Sequence, residues 1–322
     1  SGDCNSELFH RLGATETDLS VFKGIGVDIL RMDFSFNDER DATLINNKEG
    51  IKIEMSTSFI EIIEAAIKNG AKPENISTCH NFYPERYTAP SLEAINEINN
   101  YWKAKNIPVA IFISSLVKGS HGPWPVSDGL PTIEEHRDMP IGEQLKHCLA
   151  LDNVDEIIIG NAYASEDEFK AIDQVMKQVY VDVPKNEAFG FLADFIPHGM
   201  VKRVPFKIQL EEGITELEKE ILFNYPTHSD LGDCMNYMLR SRWTRMIYKG
   251  KEIPCRPCTK THYTRGDVVI VNDNLAHYRG EIQIVLKDMK VDGQRNLLGR
   301  IDESELFILE HIKAKDVFTF VE

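Results

Sequence analysis

Ten residues, CHNFYPERYT at positions 79–88, combine a histidine, an asparagine, two tyrosines and an arginine directly after a stretch typical of a buried strand. Polar groups of this kind are costly to bury without partners, which makes them candidates for binding a hydroxyl-rich or anionic ligand. An arginine offers a bidentate fork to phosphate or carboxylate, and a tyrosine offers an apolar ring with a hydroxyl tip. The candidate substrate-binding residues are His80, Asn81, Tyr83 and Arg86. The alternative is structural: Pro84 ends the strand and the aromatic rings pack beneath helices.

Two carboxylates on predicted strands are candidates for catalysis. Asp33 lies near the end of the predicted strand VDILRMDFSF (27–36) and is suited to act as a nucleophile, a base or a charge stabiliser, although it could equally cap the following turn. Glu54 lies within the predicted strand IKIEMSTS (51–58), on the face opposite its apolar neighbours. Burial of a glutamate there requires a partner, so Glu54 is either a site carboxylate or a partner for Arg31.

The longest loop of the first domain, residues 118–140, contains the motif TIEEHR. Loops of this length are usually functional or disordered, and the glycine, prolines and tryptophan at 122–125 indicate order. We expect Trp124 to desolvate Glu134 and raise its pKa, so that this carboxyl can donate a proton. The alternative is that the glutamates of the motif only complement the positive end of a helix. Two further candidate substrate-binding residues follow, His136 and Arg137.

Strands and helices alternate over about the first 200 residues, which predicts an α/β fold with parallel strands and helical crossovers. This pattern allows a (β/α) barrel or a doubly wound sheet. Neither a glycine-rich dinucleotide fingerprint nor a phosphate-cradling P-loop follows a strand, so we favour the barrel. Polar residues cluster where the predicted strands end, as in barrel active sites, and one of them is Asn161 in VDEIIIGNAYAS (154–165).

Five convincing strands precede residue 165, whereas a closed barrel of this type has about eight. We expect either an open sheet or about three βα units upstream of this sequence, and we favour the second. After about residue 200, alternating β-branched segments separated by turns predict a mostly antiparallel second domain, a small barrel. The predicted domains are residues 1–198 and 199–322.

The composition argues against several partners. Acidic residues outnumber basic ones by 51 to 36, and the formal net charge of −15 disfavours nucleic acid or an anionic membrane as a partner. No run of about twenty apolar residues predicts a membrane span. The six cysteines, at positions 4, 79, 148, 234, 255 and 258, fit a reducing cytoplasm. Only Cys255 and Cys258 have metal or redox spacing, and no second pair completes a zinc site, so we expect neither a metal nor a cofactor.

The chain resembles the bacterial 6-phospho-N-acetylmuramidase family from about residue 3 to residue 322. The resemblance rests on RMDF, CHNFYPERYT, GLPTIEEHR and IIIGNAYAS, and later on RGDVVIVNDNL, YRGEIQIVLKD and LLGRI. It implies a TIM-like barrel followed by a cyclophilin-like β-domain, with three βα units ahead of RMDF. It also implies cytoplasmic hydrolysis of 6-phosphomuramyl glycosides in peptidoglycan recycling. The family usually has an aspartate where this chain has Asn161.

We therefore expect a glycosidase acting on a phosphorylated amino-sugar substrate, with two carboxyl groups flanking the bond. Glu134 is the predicted general acid, Asp33 the nucleophile or stabiliser, and Glu54 a substitute for either. Alternatively, the acetamido oxygen of the substrate is the nucleophile and one carboxylate orients it. Arg86 and Arg137 are predicted to bind the phosphate or the lactyl carboxylate, and a homodimer is allowed. The rival functions are a sugar-phosphate binding or sensing protein without turnover, which Asn161 favours, and an aldolase or isomerase, for which the expected Schiff-base lysine or metal cluster is not visible.

Overall fold

Six parallel strands in the first half of the chain form one sheet in the computed structural model, which describes residues 1–122, 124–233 and 235–322. The strands are β1 (Gly2–Cys4), β2 (Ile29–Met32), β3 (Lys52–Ser56), β4 (Ile76–Cys79), β5 (Val109–Ile113) and β6 (Glu156–Ile159). Their order in the sheet is their order along the chain, and all neighbouring pairs are parallel. The predicted α/β class is confirmed. The strand order never reverses, as it would in a doubly wound sheet.

Helices connect these strands. They are α1 (Ser6–Arg11), α2 (Ser20–Gly24), α3 (Arg40–Ile45), α4 (Ile60–Lys68), α5 (Leu92–Lys103), α6 (Ile141–Leu151) and α7 (Glu166–Val179). Helix α5 begins where Ser91 accepts a hydrogen bond from the Ala94 N–H at 3.2 Å. Its apolar face packs inward, and Ile95 and Trp102 are fully buried. Trp102 ties this helix to the end of β3, because its indole N–H donates to the Thr57 carbonyl at 3.0 Å.

The prediction of five strands before residue 165 missed β1. This strand has only three residues, Gly2–Cys4, which is too short to show an alternating or an apolar pattern. It pairs in parallel with β2 and places Asp3 beside Arg31.

The second half of the chain forms a seven-stranded sheet and two small hairpin-like sheets. The strands are β7 (Tyr180–Val183), β8 (Gly199–Lys202), β9 (Val204–Leu210), β10 (His228–Ser229), β11 (Met238–Ser241), β12 (His262–Tyr263), β13 (Asp267–Val271), β14 (Ile282–Val285), β15 (Met289–Lys290), β16 (Arg295–Ile301) and β17 (Val317–Val321). The large sheet has the order β10-β17-β9-β16-β13-β14-β11, and only β9 and β17 pair in parallel. The mostly antiparallel second domain is therefore confirmed. Its two edge strands approach each other, and a His228 Nδ1–Ser241 Oγ hydrogen bond of 2.9 Å nearly closes a barrel.

Two short helices, α8 (Glu216–Lys219) and α9 (Thr244–Ile247), accompany these strands. Helix α8 begins with a capping box formed by Thr215 and Glu218, and it continues as a π-helical turn, Glu220–Asn224. A 3-10 helix, Glu303–Glu310, lies between β16 and β17.

The chain divides into two compact units, residues 1–169 and 170–322. The predicted boundary after residue 198 stays a prediction. Pro123 and Cys234 lie outside the described residues. Across the three described ranges, no helix is both long and apolar enough to cross a membrane.

Candidate functional site

Arg31 on β2 brings three of the predicted site residues together at the sheet. Its Nη2 donates to Asn81 Oδ1 at 2.8 Å, and its Nη1 donates to the backbone carbonyl of His80 at 3.3 Å. Nη1 also lies 3.7 Å from Glu54 Oε1, and Nε lies 3.8 Å from Asp33 Oδ1. The expectation that Glu54 is a partner of Arg31 is confirmed, and this pairing does not exclude a place in the site.

Strand register explains why these side chains meet. Arg31 lies beside Glu54 on β3 and beside Asp3 on β1, and register neighbours in a parallel sheet point to the same face. Asp33 directly follows β2, and its 3.8 Å separation from Arg31 Nε places its carboxyl group beside the same guanidinium. Asp3, Asp33 and Glu54 thus form a group of three carboxyl groups around one guanidinium, which we call the Arg31 cluster.

Two carboxyl groups of this cluster hold their protons more tightly than usual. Burial raises the pKa of Glu54, and Glu156 adds to this effect, while Arg31 opposes it. The Glu54 side chain is 2% exposed, and its Oε2 has no hydrogen-bond partner among the described residues. Burial also raises the pKa of Asp3, followed by the charge of Asp33. Glu54 is therefore suited to carry a proton, whereas the more exposed Asp33 reaches solvent with 54% of its side chain.

Asp3 was missed from the sequence because β1 was missed. The short motif GDC gives no periodicity, and only the pairing with β2 shows that an aspartate stands in register with Arg31.

The His80 side chain does not join the Arg31 cluster. It is 3% exposed, its Nε2 lies 2.6 Å from Asn99 Oδ1 on α5, and its Nδ1 lies 3.2 Å from Thr57 Oγ1. Burial lowers the pKa of the ring, which keeps it neutral. Its Nε2 binds helix α5 and its Nδ1 binds the segment that follows β3, so both nitrogens of this candidate substrate-binding side chain have partners within the fold.

Glu134 and Arg137 form a bidentate ion pair. Arg137 Nε donates to Glu134 Oε1 at 2.6 Å and Nη2 donates to Oε2 at 2.8 Å, and the arginine is 2% exposed. Glu134 also accepts the backbone N–H groups of Tyr87, at 2.7 Å, and Ala89, at 3.3 Å. Arg137 further donates to the backbone carbonyl of Tyr83 at 3.0 Å. The pair therefore fastens the loop of the CHNFYPERYT motif to the GLPTIEEHR motif.

The expected increase in the pKa of Glu134 is wrong. Hydrogen bonds from Arg137 lower this pKa to about 2, with smaller contributions from the Tyr87 and Ala89 N–H groups. Trp124, which was expected to desolvate Glu134, is 60% exposed. A carboxylate with these partners stays ionised at neutral pH, and it lacks the proton that a general acid must donate.

Arg86 and Arg137 line one cavity of about 490 Å³ in the first unit. Lys118 and Ser115 line the same cavity, which has three basic side chains on its wall and two acidic ones, Asp128 and Asp138; we call it the basic cavity. Arg86 is bound by Asp138, at 2.7 and 3.1 Å, so an anion entering the cavity would compete for its guanidinium.

Two other predicted substrate-binding residues are largely withdrawn from solvent. His136 is fully buried, with its Nε2 2.8 Å from His147 Nδ1, and burial lowers its pKa well below the ordinary value. Tyr83 is half-buried, and burial raises its pKa. The structure does not bring His136 to the Arg31 cluster.

Asn161 follows β6 and is 4% exposed. Its Oδ1 accepts the Ser115 N–H at 2.8 Å and the Ser114 hydroxyl at 3.2 Å. Its Nδ2 is buried without a hydrogen-bond partner in the described part of the chain. Ser115 also lines the basic cavity, so Asn161 contacts the wall of that cavity through its hydrogen bond with Ser115.

Within the described ranges, no group of three or more His, Cys, Asp or Glu side chains is placed to hold a metal ion.

Comparison with known proteins relates the whole chain to one family. Residues 1–174 match the N-terminal part of 6-phospho-N-acetylmuramidase, and residues 204–321 match the C-terminal part. The crystal structure of an uncharacterized B. cereus protein is 34% identical, with a TM-score of 0.81 over 99% of this chain and 83% of that chain. The crystal structure of a conserved Enterococcus faecalis protein of unknown function is 26% identical, with a TM-score of 0.64 over 99% of this chain and 79% of that chain. None of the curated proteins matches. The two family matches cover most of the sequence, and the chain belongs to the 6-phospho-N-acetylmuramidase family.

Proposed function

We propose that this protein hydrolyses 6-phosphorylated N-acetylmuramyl glycosides, of the N-acetylmuramate-6-phosphate–N-acetylglucosamine type, in cytoplasmic cell-wall recycling. Family membership supports the class of reaction. The Arg31 cluster is the observation that carries the proposal, because glycosidases commonly need two carboxyl groups in different protonation states. Consecutive parallel strands and the nearly closed second sheet support a TIM-like barrel followed by a cyclophilin-like domain.

In this proposal Glu54 is the general acid. It is buried, its pKa is raised, and its Oε2 has no partner among the described residues, so donation to the glycosidic oxygen requires that the bound substrate displace the groups that cover this oxygen. Asp33 is the nucleophile or the stabiliser of the oxocarbenium-like transition state, because it is the exposed carboxylate of the cluster. With a 2-acetamido sugar, Asp33 could instead orient the acetamido group of the substrate. Asp3 supports Glu54 as a third carboxyl group beside Arg31.

Glu134 has a different role from the one first expected. Its ion pair with Arg137 holds the loop around Tyr87, and we assign it to positioning this loop. The basic cavity is the proposed site for the phosphate or the lactyl carboxylate, with Arg86 and Lys118 as the binding groups. Arg137 supports the wall of this cavity, because all five of its N–H groups are donated within the protein. Asn81, bound to Arg31, is the proposed contact for a sugar hydroxyl.

A sugar-phosphate binding protein without turnover is the second candidate. The buried amide of Asn161, where the family usually has an aspartate, favours it, because an amide cannot supply the negative charge of a carboxylate. If this candidate is right, the phosphorylated disaccharide binds without product formation, and Asn161→Asp restores turnover.

The test is turnover of a 6-phosphomuramyl disaccharide, followed by mass spectrometry, together with calorimetry of the same ligand. We expect product from the wild type, and a strong loss of product with retained binding for Asp33→Asn and Glu54→Gln. Glu61→Gln, on the exposed face of α4, is the matched control and should turn over normally. Wild-type rates in both cluster variants would overturn the assignment, and ligand binding without product in the wild type would favour the second candidate.

A further inference from the structure

We propose that Glu168 is a positioning residue for the basic cavity, and that it acts through Lys118. Glu168 lies on the first turn of α7, outside the set of residues that line the cavity. Lys118 lines the cavity and is one of its two assigned anion-binding groups. The inference rests on the proposed function, because it names the residue that holds the assigned anion site in place.

The Glu168 carboxylate binds the segment that follows β5 through both of its oxygens. Oε1 accepts the Leu116 N–H at 3.0 Å, and Oε2 accepts the Ser115 hydroxyl at 2.8 Å. The Ser115 hydroxyl in turn accepts the Val117 N–H at 3.3 Å. One carboxylate therefore holds, directly or through Ser115, the three consecutive residues that precede Lys118.

The side chains of this segment anchor it only weakly. Leu116 and Val117 are 46% and 42% exposed, so they bury little of the apolar surface that would hold a loop in place. After Lys118, the next hydrogen bond to another segment within the described residues is three positions away, where the His121 carbonyl accepts the Ala162 N–H at 2.6 Å. The place of Lys118 on the cavity wall therefore depends on the bonds to Glu168.

The charge of Glu168 gives the inference a sign that can be tested. Burial acts to raise the pKa of this carboxyl, but hydrogen bonds from Ser165, Ser115 and Leu116 outweigh it and lower the pKa, so the group is ionised at neutral pH. A negative charge near the cavity repels an anion. Charge alone thus predicts that removal of the carboxylate tightens phosphate binding, whereas a positioning role predicts that its removal weakens phosphate binding.

Glu168 also caps α7, and this second role needs its own control. Its Oε2 accepts the Ser165 N–H at 2.9 Å, while the Ser165 hydroxyl accepts the Glu168 N–H at 3.2 Å, which is the reciprocal pair of a capping box. Ser165→Ala removes the hydroxyl of the cap and leaves the bonds to Ser115 and Leu116 in place. This variant should lose stability and bind ligands like the wild type.

Calorimetry of the whole protein with N-acetylmuramate 6-phosphate and with N-acetylmuramate provides the test. Glu168→Gln keeps the size of the side chain but replaces one acceptor oxygen with a donor, so the Kd of the phosphorylated sugar should rise about tenfold. The Kd of the unphosphorylated sugar should stay the same. Ser115→Ala, which leaves the cap of α7 intact, should give a smaller loss with the same selectivity.

A double variant shows whether Glu168 acts through Lys118. If it does, Glu168→Gln combined with Lys118→Gln should bind the phosphorylated sugar no more weakly than Lys118→Gln alone, because the group to be positioned is already gone. Losses that multiply in the double variant would show independent action and overturn the inference.

The remaining outcomes separate this inference from the assignment of the anion site. Unchanged or tighter phosphate binding in Glu168→Gln and Ser115→Ala, together with a loss in Lys118→Gln, overturns the role of Glu168 and leaves the anion site standing. Equal losses for both sugars in Glu168→Gln also contradict it, since they indicate a general loss of structure. If Lys118→Gln binds the phosphorylated sugar like the wild type, both the role of Glu168 and the use of Lys118 in the anion site are wrong.

Discussion

The Glu54 carboxyl lies 3.7 Å from the Arg31 guanidinium, on the neighbouring parallel strand and in register with it. This separation is longer than a hydrogen bond, and desolvation outweighs the attraction, so the pKa of Glu54 is raised despite a positive neighbour. A buried carboxyl with a raised pKa, next to a more exposed Asp33, is the arrangement from which an acid and an anion can act on one bond.

The pH dependence of hydrolysis should carry the signature of Glu54. Only its protonated form can donate, so kcat/KM should fall as pH rises through the pKa of Glu54. Because burial raises that pKa above 4.5, the fall should begin at a higher pH than for an ordinary glutamate. A pH–rate profile measures this fall directly. In Glu54→Gln the alkaline limb assigned to Glu54 should disappear, and an unchanged limb in that variant would refute the assignment.

Replacement of Glu134 by glutamine should reduce stability and leave the shape of the pH–rate profile unchanged. The variant weakens the ion pair with the buried Arg137, and we expect a loss of about 1–3 kcal/mol in the free energy of unfolding. Urea denaturation measures this loss. Glu135→Gln, at the exposed neighbouring position, is the control and should be close to neutral. Loss of the alkaline limb in Glu134→Gln would instead make Glu134 the acid.

Replacement of Arg86 by glutamine should discriminate between phosphorylated and unphosphorylated ligands. If the basic cavity binds the phosphate, the Kd of the phosphorylated sugar should rise about tenfold or more, because a charge-assisted hydrogen bond is lost. The Kd of the unphosphorylated sugar should change little. Calorimetry with both ligands measures the difference, and Arg11→Gln, an exposed arginine on α1, is the control. Equal losses for the two ligands would place the phosphate elsewhere.

The stability of the second unit should fall in acid because of His228. The ring is fully buried, its Nε2 donates to the Leu222 carbonyl at 2.9 Å, and its pKa is lowered to about 4, chiefly by burial. The unfolded chain binds this proton at a pKa of about 6.5, so stability is complete above that pH and is lost as pH falls toward 4. The loss from this group between neutral pH and pH 4 should be about 3 kcal/mol.

Denaturation curves across this pH range test the contribution of His228. The pH dependence should be shallower in His228→Gln than in the wild type, and it should be unchanged in the control His262→Gln, an exposed position. An equally steep dependence in His228→Gln would assign the effect to other histidines.

The sequence was sufficient to predict the alternation of strands and helices from β2 to β6 and the polar residues at strand ends. Asp33, Glu54 and Asn81 do meet at Arg31. Register on neighbouring parallel strands explains the place of Glu54, whereas Asp33 and Asn81 lie just beyond β2 and β4, where polar residues were expected. The orientation of His80 could not be predicted in this way. It follows the last residue of β4, where alternation no longer decides the face, and the partners that hold it lie on α5.

The pairing of Glu134 with Arg137 had a signal in the sequence. Residues three apart in a helical turn face each other, and Glu134–His136 is such a turn. The pKa of Glu134 was instead predicted from Trp124 in the same loop, without this local partner. Asp3 lacked any local signal, since its place is decided only by the pairing of a three-residue strand with β2.

The leaving-group dependence of Glu54→Gln tests the central claim most directly. A general acid matters most when the leaving group needs a proton, so the variant should lose about 10²–10⁴-fold in kcat/KM on the 6-phosphomuramyl disaccharide. On a 4-nitrophenyl 6-phosphomuramyl glycoside, whose leaving group departs as a stable anion, it should lose far less. Equal losses on both substrates, or a wild-type rate on the disaccharide, would contradict the assignment of Glu54 as the proton donor.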